Sequence, residues 1–228
     1  MFTLRPAAAR GRTHLSWLDS RHTFSFGDYV DPAHRGFRAL RVINDDLIAP
    51  ATGFGAHPHR DMEIISLVRR GQLTHQDSTG ARGVIGPGEI QKMSAGAGIV
   101  LSEFIASETE PVHLYQIWLR PAQAGLPPSY EQQTIPTGSR VLLAGPAGSG
   151  ALVTLHQDAT LSLLRLEAGG RARVELAPGR HAWLQVLDGT VAARNLELTA
   201  GDGAALSDEP VVELAATSPA EVLVFDLA

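Results

Sequence analysis

Cysteine is absent from the 228 residues, and lysine occurs once, at Lys92. The lack of cysteine excludes disulfide scaffolds, thiolate zinc sites and cysteine nucleophiles, and a Schiff-base mechanism would depend on the single lysine. No apolar run approaches the roughly 18 residues of a membrane-spanning helix, and the first dozen residues hold no signal-peptide core. These absences favour a cytoplasmic protein that does not enter a membrane.

Basic residues are also few and scattered. The chain carries 19 Lys and Arg against 24 Asp and Glu, for a formal net charge of −5. Without a block of positive charge, binding to nucleic acid is not expected. The hydrophobic fraction of 44% excludes disorder over most of the chain.

The pattern that is present consists of short aliphatic and β-branched runs separated by glycine and proline. Turn pairs such as Pro87-Gly88, Pro178-Gly179 and Asp188-Gly189 punctuate them, and no long segment has a helical period. This spacing predicts an all-β fold, a barrel or a sandwich. The predicted strands cover residues 39–44, 63–69, 112–119, 152–156, 161–166, 182–187, 211–215 and 222–227.

The segment 121–140 interrupts this pattern with four prolines and two glycines. We therefore expect an N-terminal domain over 1–121, a linker over 122–140 and a C-terminal domain over 141–228. The halves echo one another, since glycines flank a hairpin in each, at Gly71 and Gly88 and again at Gly189 and Gly201. Two copies of one β unit would explain the echo, and so would chance spacing.

Two histidines separated by one proline form the most informative motif, His57-Pro58-His59. In an extended segment both imidazoles would project from one face and could share a cation. Glu103 lies on a later predicted strand and would meet them if the strands fold into a barrel, giving a metal a hard ligand. By spacing alone, two surface histidines and a surface glutamate remain open alternatives.

Several longer motifs follow one another along the chain: WLDSRHTFSFGDY, GFRALRVIND, HPHRDMEII, THQDS, GEIQKMSAGAGI, SEF, LYQIWL, LHQDA and GRHAWLQVLDG. In these motifs the sequence resembles the pirin family of bicupins. The resemblance implies two tandem cupin barrels with one metal centre in the first, held by three histidines and a glutamate. His57, His59 and Glu103 match that set, whereas Leu101 stands where the family pattern has its third histidine.

The resemblance also implies a cofactor and an activity. The cofactor would be one divalent metal ion, Fe(II) first, with zinc, nickel, copper, manganese or an empty site as alternatives. The activity would be that of a quercetin 2,3-dioxygenase acting on a flavonol or related phenolic ligand, with Glu103 as the catalytic proton acceptor. The alternative is a non-enzymatic, metal-poor protein that acts through protein partners. The second barrel, with no histidine pair over 182–186, is expected to lack metal ligands.

Five further residues are expected near the site. Glu63 is assigned to orient a histidine N–H from outside the coordination sphere, and His75 is a possible substitute ligand. Gln91 and Met93 are predicted either to line the pocket or to pack in the core. Leu101 is expected to face the pocket at the position of the missing ligand.

Overall fold

The computed structural model describes residues 1–228 and is built almost entirely of β-strands. The one helix is a three-residue 3-10 turn over Ala7–Ala9, and no helix is long and apolar enough to cross a membrane. The all-β prediction is therefore confirmed. The chain divides into an N-terminal unit, residues 11–135 and 152–157, and a C-terminal unit, residues 1–10, 136–151 and 158–228.

The N-terminal unit contains a seven-stranded and a four-stranded sheet, ordered β12-β9-β6-β11-β4-β3-β2 and β5-β10-β7-β8. Its strands are β2 (Gly11–His14), β3 (Leu18–His22), β4 (Leu40–Ile48), β5 (Gly53–His59), β6 (Glu63–Arg70), β7 (Leu73–Asp77), β8 (Arg82–Ile85), β9 (Glu89–Ser94), β10 (Ile99–Phe104), β11 (Val112–Leu119), β12 (Ser129–Thr134) and the short β14 (Val153–Thr154).

The C-terminal unit also contains two sheets, one ordered β1-β20-β17-β22-β15-β13 and a four-stranded one ordered β16-β21-β18-β19. Its strands are β1 (Phe2–Arg5), β13 (Arg140–Gly145), β15 (Ala159–Leu166), β16 (Arg171–Glu175), β17 (His181–Asp188), β18 (Thr190–Ala193), β19 (Leu196–Thr199), β20 (Gly203–Ser207), β21 (Val211–Ala216) and β22 (Ala220–Leu227).

The strand order of one unit repeats in the other. In the first, β6, β7, β8 and β9 follow one another, and β17, β18, β19 and β20 do the same in the second with the same pairing. The glycines singled out in the sequence flank these hairpins, and Gly71 and Gly189 both have positive φ values, of 75° and 73°. The duplicated β unit is thus present, with the shorter hairpin in the second copy.

The two units differ from the predicted domain boundaries in three segments. Residues 1–10 belong to the C-terminal unit because β1 pairs with β20. The expected linker contains β12, which pairs with β9 along its whole length. Residues 152–157 belong to the N-terminal unit. β12 was not predicted for two reasons. It lies in a proline-rich segment, and its own sequence, SYEQQT, has no alternation of apolar and polar residues.

The expectation that the second barrel lacks metal ligands was argued from residues 182–186, which lie on the wrong strand for that comparison. By topology, the counterpart of β5 is the edge strand β16, not β17 over His181–Asp188. The sequence of β16 is RARVE. It contains no histidine pair, whereas β17 is a central strand whose residues 182–187 are buried.

The buried side chains of each unit come from both of its sheets. In the C-terminal unit one cluster joins Leu164 and Val224 of the larger sheet to Val191 and Leu214 of the smaller one. The N-terminal unit includes two further apolar clusters, one around Leu73 and one around Met93. Polar side chains occupy inward positions of the same strands, and these positions form the candidate site.

Candidate metal centre and ligand cavity

Strand β5 carries the two histidines at the edge of its sheet, where it pairs with β10. The edge position suits Pro58, which has no N–H to donate to a further strand. His57 and His59 lie on one face, with ring centroids 4.7 Å apart, as the extended motif predicted. The register shifts between the pairs Leu101–His57 and Glu103–Phe54, and such a bulge re-aims side chains beside a site.

Both imidazoles can present a lone pair. The Nδ1–H of His57 donates to the Gly55 carbonyl oxygen at 2.7 Å, which leaves Nε2 as the acceptor of the neutral ring. Burial, and then the charge of His57, lowers the pKa of His59 to about 4. His59 is therefore neutral at physiological pH. Its ring also packs edge-on against Trp118, 4.9 Å between centroids.

Glu103 is buried, with 4% of its surface exposed. Burial and the neighbouring charge of Asp46 raise its pKa to about 7, while a hydrogen bond from Gln116 opposes the rise. Gln116 Nε2 donates to Glu103 Oε2 at 3.0 Å, and Gln116 Oε1 accepts a bond from Trp118 Nε1 at 3.0 Å. One carboxylate oxygen is thereby oriented, and Oε1 of Glu103 has no protein partner.

A single cavity of about 500 Å³ is lined by His57, His59 and Glu103. Its aromatic walls include Phe54 and Trp118. Further lining side chains come from β2, β3, β4 and β11, from the turn between β2 and β3 and from the loop after β3. They include Thr13, Trp17, Ser20, His22, Phe26, Asn44, Asp46 and Gln116. The three predicted ligands are thus gathered from two strands onto one aromatic cavity.

Leu101 pairs directly with His57 across β10 and β5, and paired residues share a face of the sheet. Its side chain is 4% exposed and packs in the apolar cluster of Ile64, Met93 and Ile99. Leu101 therefore fills its position by packing among apolar side chains and contributes no metal donor.

The donor set fits a divalent first-row metal in chemistry, because two neutral imidazoles and a carboxylate are suitable ligands. It is incomplete in geometry. No three His, Asp or Glu side chains of the 228 residues lie close enough together to hold one ion. The residues whose chemistry suits a metal are His57, His59 and Glu103, which line the same cavity but are not grouped around one point.

Glu63 contacts a different histidine from those expected. Its Oε1 lies 3.3 Å from His156 Nδ1, and its Oε2 lies 3.2 Å from Lys92 Nζ. Ser94 Oγ donates to the same carboxylate at 2.6 Å. Although burial alone would raise it, the charge of Lys92 and these hydrogen bonds hold the pKa of Glu63 below its usual value. This group ties residues 152–157 to β6 and β9, away from the cavity.

The other expected neighbours also lie outside the cavity lining. His75 is paired with Glu103 in the strand register but bonds through Nε2 to Asp77 at 2.9 Å. Met93 is buried in the same apolar cluster as Leu101, so its core interpretation holds. Gln91 is buried with no partner for Oε1.

The cavity residues missed from the sequence include His22, Asn44, Asp46 and Gln116. They occupy inward positions of strands whose other inward residues are apolar, such as Leu40, Val42 and Ile48 of β4. A polar residue at a core-facing position is the signal that could have found them.

Comparison with known proteins agrees with this architecture. Residues 4–119 match the Pirin family model, and residues 142–227 match the model of the quercetinase C-terminal cupin domain. The chain belongs to the pirin family. The all-β architecture is therefore that of a pirin bicupin, and its two matched segments are the two cupin domains.

Relatives of this pirin-family chain are similar over its whole length. A quercetin 2,3-dioxygenase of Escherichia coli K12 is 44% identical over 229 residues, covering 100% of this chain and 99% of the relative. The crystal structure of the bacterial pirin YhhW from E. coli in complex with nickel(II) superposes with a TM-score of 0.96 at 44% identity, covering 100% and 99%. E. coli YhaK gives 0.78 at 30% identity, covering 95% and 93%.

Proposed function

We propose that this chain is a metal-dependent dioxygenase of the quercetin 2,3-dioxygenase type, with one divalent ion held by His57, His59 and Glu103. The observation that carries the proposal is the convergence of these side chains on one cavity with aromatic walls. The 44% identical relative of that name and the nickel complex of YhhW support it. Fe(II) is the proposed ion, since two histidines and one carboxylate are its ligand set in non-haem oxygenases.

A bound divalent ion would act as a Lewis acid and lower the pKa of a flavonol hydroxyl. The chain's own residues supply the rest. Glu103, which lines the same cavity, is placed to take up that proton when its carboxylate is not fully engaged with the ion. Gln116 orients the carboxylate through its 3.0 Å bond. Phe54 and Trp118 offer flat apolar surfaces against which a planar ring can stack.

A second candidate function is a metal-poor binding protein that acts through protein partners. Two observations favour it: no three donors are grouped around one point, and Leu101 packs in an apolar cluster. Such a protein would use the same cavity to bind a phenolic ligand without turnover.

Oxygen uptake on quercetin separates the two candidates. The purified chain is stripped with chelator, reloaded in turn with Fe(II), Ni(II), Zn(II), Mn(II) and Cu(II), and supplied with quercetin and dissolved oxygen. We expect uptake, with matching loss of flavonol absorbance, for at least one metal. We expect none for His59→Ala and full activity for His14→Ala, an exposed histidine outside the cavity lining. No uptake with any metal would favour the binding protein.

A further inference from the structure

The inward face of β4 changes from apolar to polar where it reaches the cavity. Leu40, Val42 and Ile48 are buried apolar residues, but Asn44 and Asp46 between them are polar and only 2% and 3% exposed. Both line the cavity that holds His57, His59 and Glu103. Polar groups at this depth destabilise a fold unless they are hydrogen-bonded, so their presence calls for a partner.

Asp46 has one oxygen with no partner in the protein. Ser20, opposite it on β3, donates a hydrogen bond to the carboxyl group. Oδ1 is buried and accepts no bond. A buried carboxyl oxygen normally finds a donor. A ligand in the cavity that Asp46 lines could supply that donor.

The neighbouring residues hold this wall in place. His22 Nδ1 bonds to Asn44 Oδ1 at 2.8 Å, and His22 Nε2 bonds to Thr13 Oγ1 at 2.8 Å. The amide oxygen of Asn44 can only accept, so Nδ1 carries the proton of the neutral ring and Nε2 accepts from Thr13. The wall beside Asp46 is therefore a fixed hydrogen-bonded array across β2, β3 and β4.

The rest of the cavity defines the shape of the ligand. Trp17 and Phe54 meet edge to face at 5.2 Å, and Phe26 and Trp118 do so at 5.4 Å. All four rings line the cavity. A planar aromatic molecule that carries more than one hydroxyl group matches both the aromatic walls and the unpaired acceptor.

We propose that Asp46 is a specificity-determining residue, which accepts a hydrogen bond from a second hydroxyl of a planar polyphenol in this cavity. The inference rests on the proposed function, in that the ligand's first hydroxyl lies at His57, His59 and Glu103. A ligand without the second hydroxyl would leave the buried oxygen of Asp46 unpaired, which is the strongest basis on which a polar site rejects an analogue.

Two flavonols test this role. Quercetin carries several hydroxyls, whereas 3-hydroxyflavone keeps the ring system and the 3-hydroxyl alone. Dissociation constants are measured on the metal-free full chain by quenching of tryptophan fluorescence. We expect the wild type to bind quercetin at least ~10-fold more tightly, since leaving a buried acceptor without its hydrogen bond costs about that much. In Asp46→Leu the ratio should fall towards ~1 through loss of quercetin affinity.

Two variants serve as controls. Asp45→Asn changes the next residue, which bonds to His113 at 2.7 Å and does not line the cavity, so the ratio should stay at the wild-type value. Asp46→Asn keeps an acceptor for Ser20 and should lower the ratio partway, which keeps the test available if the leucine variant does not fold.

The outcomes separate the inference from the proposed activity. A wild-type ratio that persists in both Asp46 variants overturns the inference, and so does a wild type that binds neither flavonol. If the ratio falls as expected but the metal-loaded enzyme takes up no oxygen, the inference holds as ligand recognition and the proposed dioxygenase activity fails.

Discussion

At the scale of single residues, the position opposite His57 decides how many donors the centre has. Leu101 occupies it and shares a face with His57, so its side chain adds apolar packing where an imidazole would add a nitrogen ligand. The remaining donors are His57, His59 and a carboxylate oriented by Gln116.

Leu101→His should restore a nitrogen donor beside His57. We expect the affinity for Fe(II) or Ni(II) to rise by ~10-fold or more, with some loss of thermal stability because a polar ring replaces leucine among Ile64, Met93 and Ile99. Chelator competition measures the affinity. The matched control is Val100→His on the same strand, since Val100 is 43% exposed and faces away. An affinity unchanged by Leu101→His would contradict this geometry.

The buried carboxyl of Asp46 makes stability depend on pH. Burial raises its pKa from 3.8 to about 7, so the folded state binds more protons than the unfolded state between these values. The stability it contributes is complete below about pH 4 and is lost as the pH rises through 7.

Asp46→Asn removes this titration. Relative to the wild type, the free energy of unfolding of the metal-free variant should increase by roughly 3–4 kcal/mol from pH 4 to pH 8. Denaturant unfolding at a series of pH values measures it. A difference between the two proteins that stays constant with pH would show that Asp46 does not titrate as a buried group.

The sequence indicated the residues of the proposed centre better than its geometry. The motif HPH placed both histidines on one face, and spacing and the family resemblance together pointed to Glu103. Neither could specify the distances, because these depend on the bulge between β5 and β10. Asp46 and Gln116 escaped notice because their signal, a polar residue at an inward position of a largely apolar strand, was not weighed against the apolar pattern around it.

At the scale of elements, strands β6 and β9 are joined by a buried ion pair. Lys92 is fully buried and Glu63 is 1% exposed. Nothing in the sequence marked this pairing, since the two residues lie 29 positions apart on separate strands. The pairing of β12 with β9 was likewise not predicted from the sequence.

Lys92→Met should destabilise the protein by about 3–5 kcal/mol, because it leaves the Glu63 carboxylate buried without its cation. The double variant Glu63→Leu, Lys92→Met should cost less than the single one, since no unpaired charge remains. Urea unfolding measures both. Arg173→Met, which removes a well-exposed ion pair with Glu175, is the control and should change stability little. A double variant less stable than Lys92→Met would contradict this account.

At the scale of the whole molecule, the same order and pairing of strands occurs in both units, with different side chains. This repeat was predictable from glycine spacing and short strands, and the family match covers both copies. The position of β1 could not be predicted from the sequence. This strand lies at the start of the chain, yet it completes the sheet of the C-terminal unit by pairing with β20.

Metal content tests the central claim most directly. The full chain is expressed with iron, purified without chelator and analysed for metal per chain, beside Glu103→Ala and His59→Ala. Three donors holding one ion predict about one metal per wild-type chain and a loss of most of it in both variants. A wild type without metal under any loading condition, or variants that keep the wild-type content, would contradict a centre built on His57, His59 and Glu103.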